Sequence, residues 1–225
     1  MKTQAQICSW RRRMRRKLLN ARGTIRADLC SDFSAHIEEA LSVLLRRRGA
    51  SSIGFYWPIR GEVDLRPFMR EFVKRGGCAA LPAVIERKRP LEFRRWWPGI
   101  PMYPDAHGVP APKWREMIHP QVLLIPMVGF DQNFHRLGFG SGYLDRTLVT
   151  LEPKPYSIGI SYELCRLNTI FPQPHDIPLD AIVTEDRVRT RPERAIVPET
   201  DRENSVFASP PCYAAELDAD FRISD

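Results

Sequence analysis

The sequence predicts an α/β protein: a single three-layer, Rossmann-like domain with a mostly parallel sheet and helices on both faces. Three observations predict it. Segments with apolar residues at helical spacing alternate with short apolar runs of strand length. One of these, VLLIPMVGF at 122–130, is apolar throughout, as a strand covered on both faces must be. A glycine-rich stretch, RLGFGSGYLDR at 136–146, separates that run from a helical segment. Open α/β sheets bind ligands at such junctions.

The elements follow in chain order. Ile7, Trp10, Met14, Leu18 and Ala21 recur at helical spacing, which predicts an amphipathic helix over 4–22 with Arg11, Arg15 and Arg22 beside the apolar stripe. A second helix is predicted over 32–48, with three arginines in its last turn and Gly49 as its stop. Residues 52–57 read as a buried strand and 67–75 as a helix closed by Gly76 and Gly77. Strands are predicted at 78–85 and 91–96. The proline-rich stretch 98–120 lacks periodicity and reads as a long loop. After the strand at 122–130 come a helix at 143–151 and strands at 157–162 and 181–184.

The chain has 225 residues, enough for one sizeable core, and no apolar run near the roughly 20 residues that cross a bilayer. No signal-peptide core follows the basic N-terminus. Five scattered cysteines with no CxxC pair point to a reducing, cytoplasmic setting rather than a disulfide framework or zinc site. The net charge of +7 is concentrated: residues 1–30 carry nine bases and one acid. Such an end suits nucleic acid, a membrane surface or a phosphorylated small molecule, or is simply a solvated helix face. Residues 191–225 carry four bases and eight acids and read as an acidic tail, disordered or surface-docked, beyond a domain at 1–190.

Glycines at 138, 140 and 142 would let backbone N–H groups turn inward, and the helix that follows presents its positive end; both suit phosphate. The stretch is neither a Walker A loop nor GxGxxG, since no Gly-Lys-Ser/Thr follows and position 143 is Tyr. Arg136 can clamp phosphate oxygens in fork geometry. Asp145 complements the helix dipole or binds magnesium, and Asp180 is a second carboxylate for that ion or a turn acid.

FDQNFHRLGFGSGYLDR resembles the signature of the 5-formyltetrahydrofolate cyclo-ligase family. RRRMRRKLLNAR resembles that family's basic helix, through Arg11, Met14 and Arg15. FYWPIRGEVD resembles the segment with its substrate-binding glutamate, here Glu62. IGISYELCRLNTIFPQPHDIPLDAIVTE resembles its closing segment, so the likeness spans roughly 10–186. Phe134 and Ser141 stand where the family has Gly, and Leu144 where it has Tyr; Ser141 retains the turn if its φ is negative, whereas Phe134 is strained if its φ is positive.

The resemblance implies an enzyme that closes 5-formyltetrahydrofolate to 5,10-methenyltetrahydrofolate with ATP and Mg2+, by phosphorylating the formyl oxygen before N10 attacks. It implies that ATP is held by residues 11–15 (Arg11, Arg12, Arg13, Met14, Arg15) and by Arg136, Leu137, Gly138, Phe139, Gly140, Ser141, Gly142, Tyr143 and Leu144. Phe139 to Tyr143 would also face the folate, beside Trp57 and Glu62; Arg136 and Tyr143 would act in the chemistry; Asp145 and Asp180 would bind Mg2+. A cytoplasmic monomer is expected, without nucleic-acid or membrane partners. The competing readings are a nucleic-acid-binding protein, which leaves the glycine loop and Glu62 without a task, and an inactive relative that binds folate or nucleotide as a sensor or interaction protein.

Overall fold

The structure is a computed structural model and describes residues 2–191. The tail expected at 191–225 therefore lies, apart from Arg191, outside the described residues.

Helix α1 (Gln4–Gly23) begins with a capping box: the Thr3 hydroxyl accepts from Gln6 N–H and the Gln6 side chain accepts from Thr3 N–H. Helix α2 (Ala27–Arg48) starts five residues earlier than the apolar pattern predicts. Gly49 ends it in a left-handed conformation, φ 59°. Then come β1 (Ser52–Gly54), α3 (Arg66–Lys74), β2 (Cys78–Ala83), β3 (Glu92–Trp96), β4 (Met102–Pro104), β5 (Pro110–Pro112), β6 (Val122–Pro126), β7 (Gly129–Asp131), β8 (Arg136–Leu137), α4 (Tyr143–Thr150), β9 (Tyr156–Ile160), β10 (Arg166–Leu167), β11 (Ala181–Val183) and β12 (Val188–Thr190).

Seven strands form the main sheet in the order β12-β11-β9-β6-β1-β2-β3. The inner pairings are parallel, and only the edge strands β3 and β12 are antiparallel. Alternate strand residues enter two cores. Ile53, Leu81, Leu124 and Ile158 pack under α2 and α3, through Ile37, Leu41 and Met69. Ala80, Leu123, Ile125 and Ile182 face the other way, toward Leu148 of α4 and Phe130. The chain leaves β1 toward β2 on one side and returns through β6 on the other. The crevice between the C-terminal ends of β1 and β6 is thus a topological switch point, where such sheets hold ligands. No helix among the described residues is long and apolar enough to cross a membrane.

Two sequence expectations need correction. The apolar run 122–130 is not one strand. Pro126 ends β6, and β7 joins a separate small sheet with β8 and β10. At the break, a side chain on Gly129 would sit 2.7 Å from Leu18 Cδ1 and 3.2 Å from the Cys165 carbonyl, so the strand passes close beneath α1. The stretch 98–120 is not a structureless loop, because it contains the β4–β5 hairpin. Buried Arg94 supports that hairpin from β3, donating to the Tyr103 hydroxyl (2.6 Å) and the Pro112 carbonyl (3.4 Å). A buried arginine under a hairpin has no periodic signature in sequence.

Candidate active site

The glycine loop follows β8 of the small sheet rather than a strand of the main one. Only Gly140 (φ 108°) and Gly142 (φ 67°) need glycine's conformational freedom. Ser141 stays out of the left-handed region and so preserves the turn. Gly142 caps α4 and offers no side chain to its first N–H groups, leaving them for a ligand. Arg146 fastens the loop by donating to the Ser141 carbonyl at 2.6 Å.

A cleft of about 160 Å³ opens between this loop, the N-terminal half of α1, the first turn of α4 and the segment 173–176. It brings together Arg11, Arg15 and the whole stretch from Arg136 to Asp145. Arg15 Nε donates to the Gly138 carbonyl at 2.7 Å, tying α1 to the loop. Tyr143, the first residue of α4, has its hydroxyl 2.9 Å from His107 Nε2 on the β4–β5 hairpin. Leu144 and Phe139 also pack into apolar clusters behind the cleft.

Several predicted site residues have other partners. Arg11, read as a triphosphate ligand, is buried and ion-paired with Asp176, and it also donates to the carbonyls of Ile170 and Phe171 (both 3.0 Å). Burial alone would raise the Asp176 carboxyl, but the Arg11 hydrogen bond and charge outweigh it and hold the group below its ordinary value. Arg136, read as a phosphate clamp, donates to Asp145 (2.6 Å) and the Ile177 carbonyl (2.9 Å), bracing the cleft wall. Arg12 and Arg13 lie on the exposed side of α1, and Met14 packs against the Leu18 cluster.

Asp145 and Asp180, read as one pair of magnesium ligands, stand toward opposite ends of β6. Asp180 accepts from the Ser157 backbone N–H and hydroxyl (2.8 and 2.7 Å), at the start of β9 and β11. Asp145 lines the cleft with Pro126, at the opposite end of β6. Among the described residues no group of three or more His, Cys, Asp or Glu stands together as metal ligands.

Trp57 and Glu62 lie outside this cleft, on the chain leaving β1. Trp57 packs on the first core with the Arg66 guanidinium 4.6 Å from its ring centroid. Glu62 is half-buried; its Oε2 accepts from Ile59 N–H at 3.0 Å, and its Oε1 is buried without a hydrogen-bond partner. Burial pushes its carboxyl up to about 7, against the lowering influence of Arg22, the Ile59 N–H and Arg60.

Sequence reasoning missed Gln173, His175 and Asp176 as cleft walls, and His107 as the partner of Tyr143. The sequence QPHD did offer a polar cluster, but only the fold carries it across to α1.

A profile of the 5-formyltetrahydrofolate cyclo-ligase family matches residues 7–185, which take in most of α1, the Glu62 turn, the glycine loop and β11. The chain belongs to this family. Among cyclo-ligase relatives, the 5-formyltetrahydrofolate cyclo-ligase of Mycoplasma genitalium is 39% identical over 167 residues, covering 70% of this chain and 90% of that one. The solved 5,10-methenyltetrahydrofolate synthetase of Aquifex aeolicus superposes with a TM-score of 0.72 at 27% identity, covering 86% of this chain and 99% of that one. The synthetase from Mycoplasma pneumoniae gives 0.63 at 28% identity, covering 78% and 98%. These likenesses make the cyclo-ligase fold and the mostly parallel sheet one finding.

Proposed function

We propose that this chain closes 5-formyltetrahydrofolate to 5,10-methenyltetrahydrofolate, converting ATP to ADP and phosphate. The observation that carries the reading is the cleft itself. A glycine turn delivers the open N-terminus of α4 to a pocket lined by arginines, within a chain of the cyclo-ligase family. At about 160 Å³ the cleft is smaller than the roughly 300 Å³ at which whole-ligand pockets begin. It suits the phosphate end of a nucleotide.

A formamide oxygen is a poor leaving group. Transfer of the γ-phosphoryl to that oxygen converts it into a phosphate ester; N10 then attacks the formyl carbon, and the oxygen departs with the phosphate. This chemistry needs positioning and charge neutralisation more than a protein nucleophile. The α4 N-terminus faces the phosphates, Arg15 holds the loop through Gly138, and Arg136 with Asp145 keeps the wall rigid. Glu62 accepts hydrogen bonds from the N–H edge of the pterin. The residues present fit a Mg2+ carried mainly by phosphate oxygens and water, with Asp145 and the Arg11-paired Asp176 as the carboxylates lining the cleft. When bound, the ion would neutralise phosphate charge.

The test is an absorbance assay, since the methenyl product absorbs where the substrate does not. Purified protein with 5-formyltetrahydrofolate, ATP and Mg2+ gives ATP-dependent product. Binding of both ligands without turnover would instead identify a sensor, and binding of neither would overturn the reading.

A further inference from the structure

Arg22 is 3% exposed and sits at the C-terminal end of α1, over the crevice between β1 and β6. Its side chain lies along the turn that follows β1. Nε donates to the Arg60 carbonyl at 2.9 Å, and a side chain on Gly61 would meet Arg22 Cγ at 3.7 Å. Its Nη1 donates to the Met127 carbonyl just beyond β6, at 3.4 Å. One guanidinium therefore joins the two chains leaving the switch point. Its Nη2 is buried without a hydrogen-bond partner, and so is Oε1 of Glu62 on the same turn. A buried donor and a buried acceptor are rarely both left unused in a protein interior unless another group engages them.

We propose that Arg22 is a positioning residue of the folate site, which holds the 60–62 turn across the β1–β6 crevice and sets the charge against which Glu62 presents its carboxylate to the pterin. The inference rests on the folate reading of Glu62. The buried side chain reaches both chains from the α1 side, and two carbonyl bonds fix the fork. The groups facing the carboxyl are Arg22 from α1, Arg60 and the Ile59 N–H from its own turn, and Tyr56 just beyond β1. The Tyr56 hydroxyl is itself committed to the Val63 carbonyl at 2.9 Å. Arg22 is the strongest of the groups that favour the ionised form.

The sign follows from the pterin offering N–H donors. Binding needs the carboxylate, so it is present above the Glu62 value of about 7 and lost as pH falls through it. Removing the Arg22 charge raises that midpoint. The experiment measures 5-formyltetrahydrofolate binding by protein fluorescence between pH 5.5 and 9, roughly centred on the Glu62 value, for wild type, Arg22→Met, Arg22→Lys and Glu62→Gln. Arg22→Met moves the midpoint upward, Arg22→Lys restores it toward wild type, and Glu62→Gln abolishes the step. An Arg22→Met profile parallel to wild type, with affinity reduced equally at every pH, would overturn the inference.

If Arg22→Met does not fold, Arg22→Lys carries the test. A lysine cannot keep both carbonyl bonds in fork geometry, so KM for folate rises several-fold while KM for ATP is unchanged. Equal rises in both would assign Arg22 to stability alone. Wild-type protein that binds no folate at any pH would sink the folate reading itself, an outcome distinct from either.

Discussion

His107 Nε2 and the Tyr143 hydroxyl stand 2.9 Å apart, joining the β4–β5 hairpin to the first residue of α4. The rings also meet edge to face, with centroids 5.3 Å apart. The hairpin tip is fixed in turn, because Asp105 Oδ1 accepts from the N–H groups of His107 (2.8 Å) and Val109 (3.1 Å). Tyr143 lines the cleft, so its hydroxyl is aimed by a residue 36 positions away in sequence.

The first prediction concerns this pair. His107→Phe keeps a ring of similar size and loses the hydrogen bond, a net loss of about 1 kcal/mol and hence about five-fold in kcat/KM. Tyr143→Phe loses the same bond and any contact the hydroxyl makes with substrate. In a double-mutant cycle the two losses are non-additive, because both remove one shared bond. Strictly additive losses in kcat/KM would show that His107 acts only on the hairpin.

The second concerns Phe134, whose φ of 66° places a bulky residue in the left-handed region. Its turn is held from outside: Asp131 Oδ1 accepts from Asn133 and His135 N–H (3.0 and 3.1 Å), and the Phe134 carbonyl accepts from Leu179 N–H at 2.9 Å. The ring packs on the second core. Phe134→Ala loses that packing and keeps the strain, whereas Phe134→Gly loses the packing and removes a strain of about 1–2 kcal/mol. The glycine variant is therefore the more stable of the two, by about 1 kcal/mol in urea unfolding, reversing the usual order of Ala and Gly. Alanine more stable than glycine would show that the turn carries no strain.

The strand–helix alternation was legible because burial on both faces leaves apolar runs, and amphipathic helices leave a 3.6-residue period. Val122 to Ile125 and the α1 stripe are examples of each. The glycine loop was legible through its composition and its family likeness. What the sequence withheld are contacts between distant segments. Arg11 in RRRMRR looks as available as Arg12, yet it closes on Asp176, 165 positions away. Arg136 looks like a clamp until Asp145 is seen at its fork, and Asp180 looks like a partner of Asp145 until the sheet places it beside Ser157. Charge in a sequence gives type and spacing but not the opposing charge that the fold supplies.

The third prediction separates Arg11 from Arg15. Arg11→Met leaves Asp176 buried without its cation, which costs about 3–5 kcal/mol of stability at neutral pH. Because Arg11 depresses the Asp176 carboxyl in the folded state, its stabilisation is present above the unfolded value of about 3.9 and is lost as pH falls through the lower folded value. Wild type and Arg11→Met should therefore differ most near pH 7 and converge as pH falls below about 4, read from urea midpoints. Arg15→Ala leaves the melting temperature nearly unchanged and weakens ATP more than folate, since Arg15 bonds the loop at Gly138. A large loss of stability in Arg15→Ala, with both substrates weakened equally, would reverse the two roles.

The fourth concerns magnesium, and it divides two carboxylates that look alike in sequence. Asp145 stands in the cleft with Oδ1 accepting from Arg136 Nη2 and from Ile177 N–H at 3.2 Å. An ion brought in by the triphosphate would meet Asp145 and Asp176 there, each already paired with an arginine, and those charges would keep intrinsic metal affinity low. Asp145→Asn should raise the Mg2+ concentration needed for half-maximal turnover several-fold and lower kcat, with the ATP-free protein binding Mg2+ weakly in either form. Asp180→Asn should leave the Mg2+ titration where it is. Its cost is structural, because the amide can no longer accept as strongly from both the Ser157 N–H and hydroxyl at the start of β9, a loss of about 1–2 kcal/mol. Turnover against Mg2+ at saturating ATP distinguishes the cases. A shift in the Asp180→Asn curve matching that of Asp145→Asn would mean that the two carboxylates do act on one ion and that the N-terminal ends of β9 and β11 belong to the site.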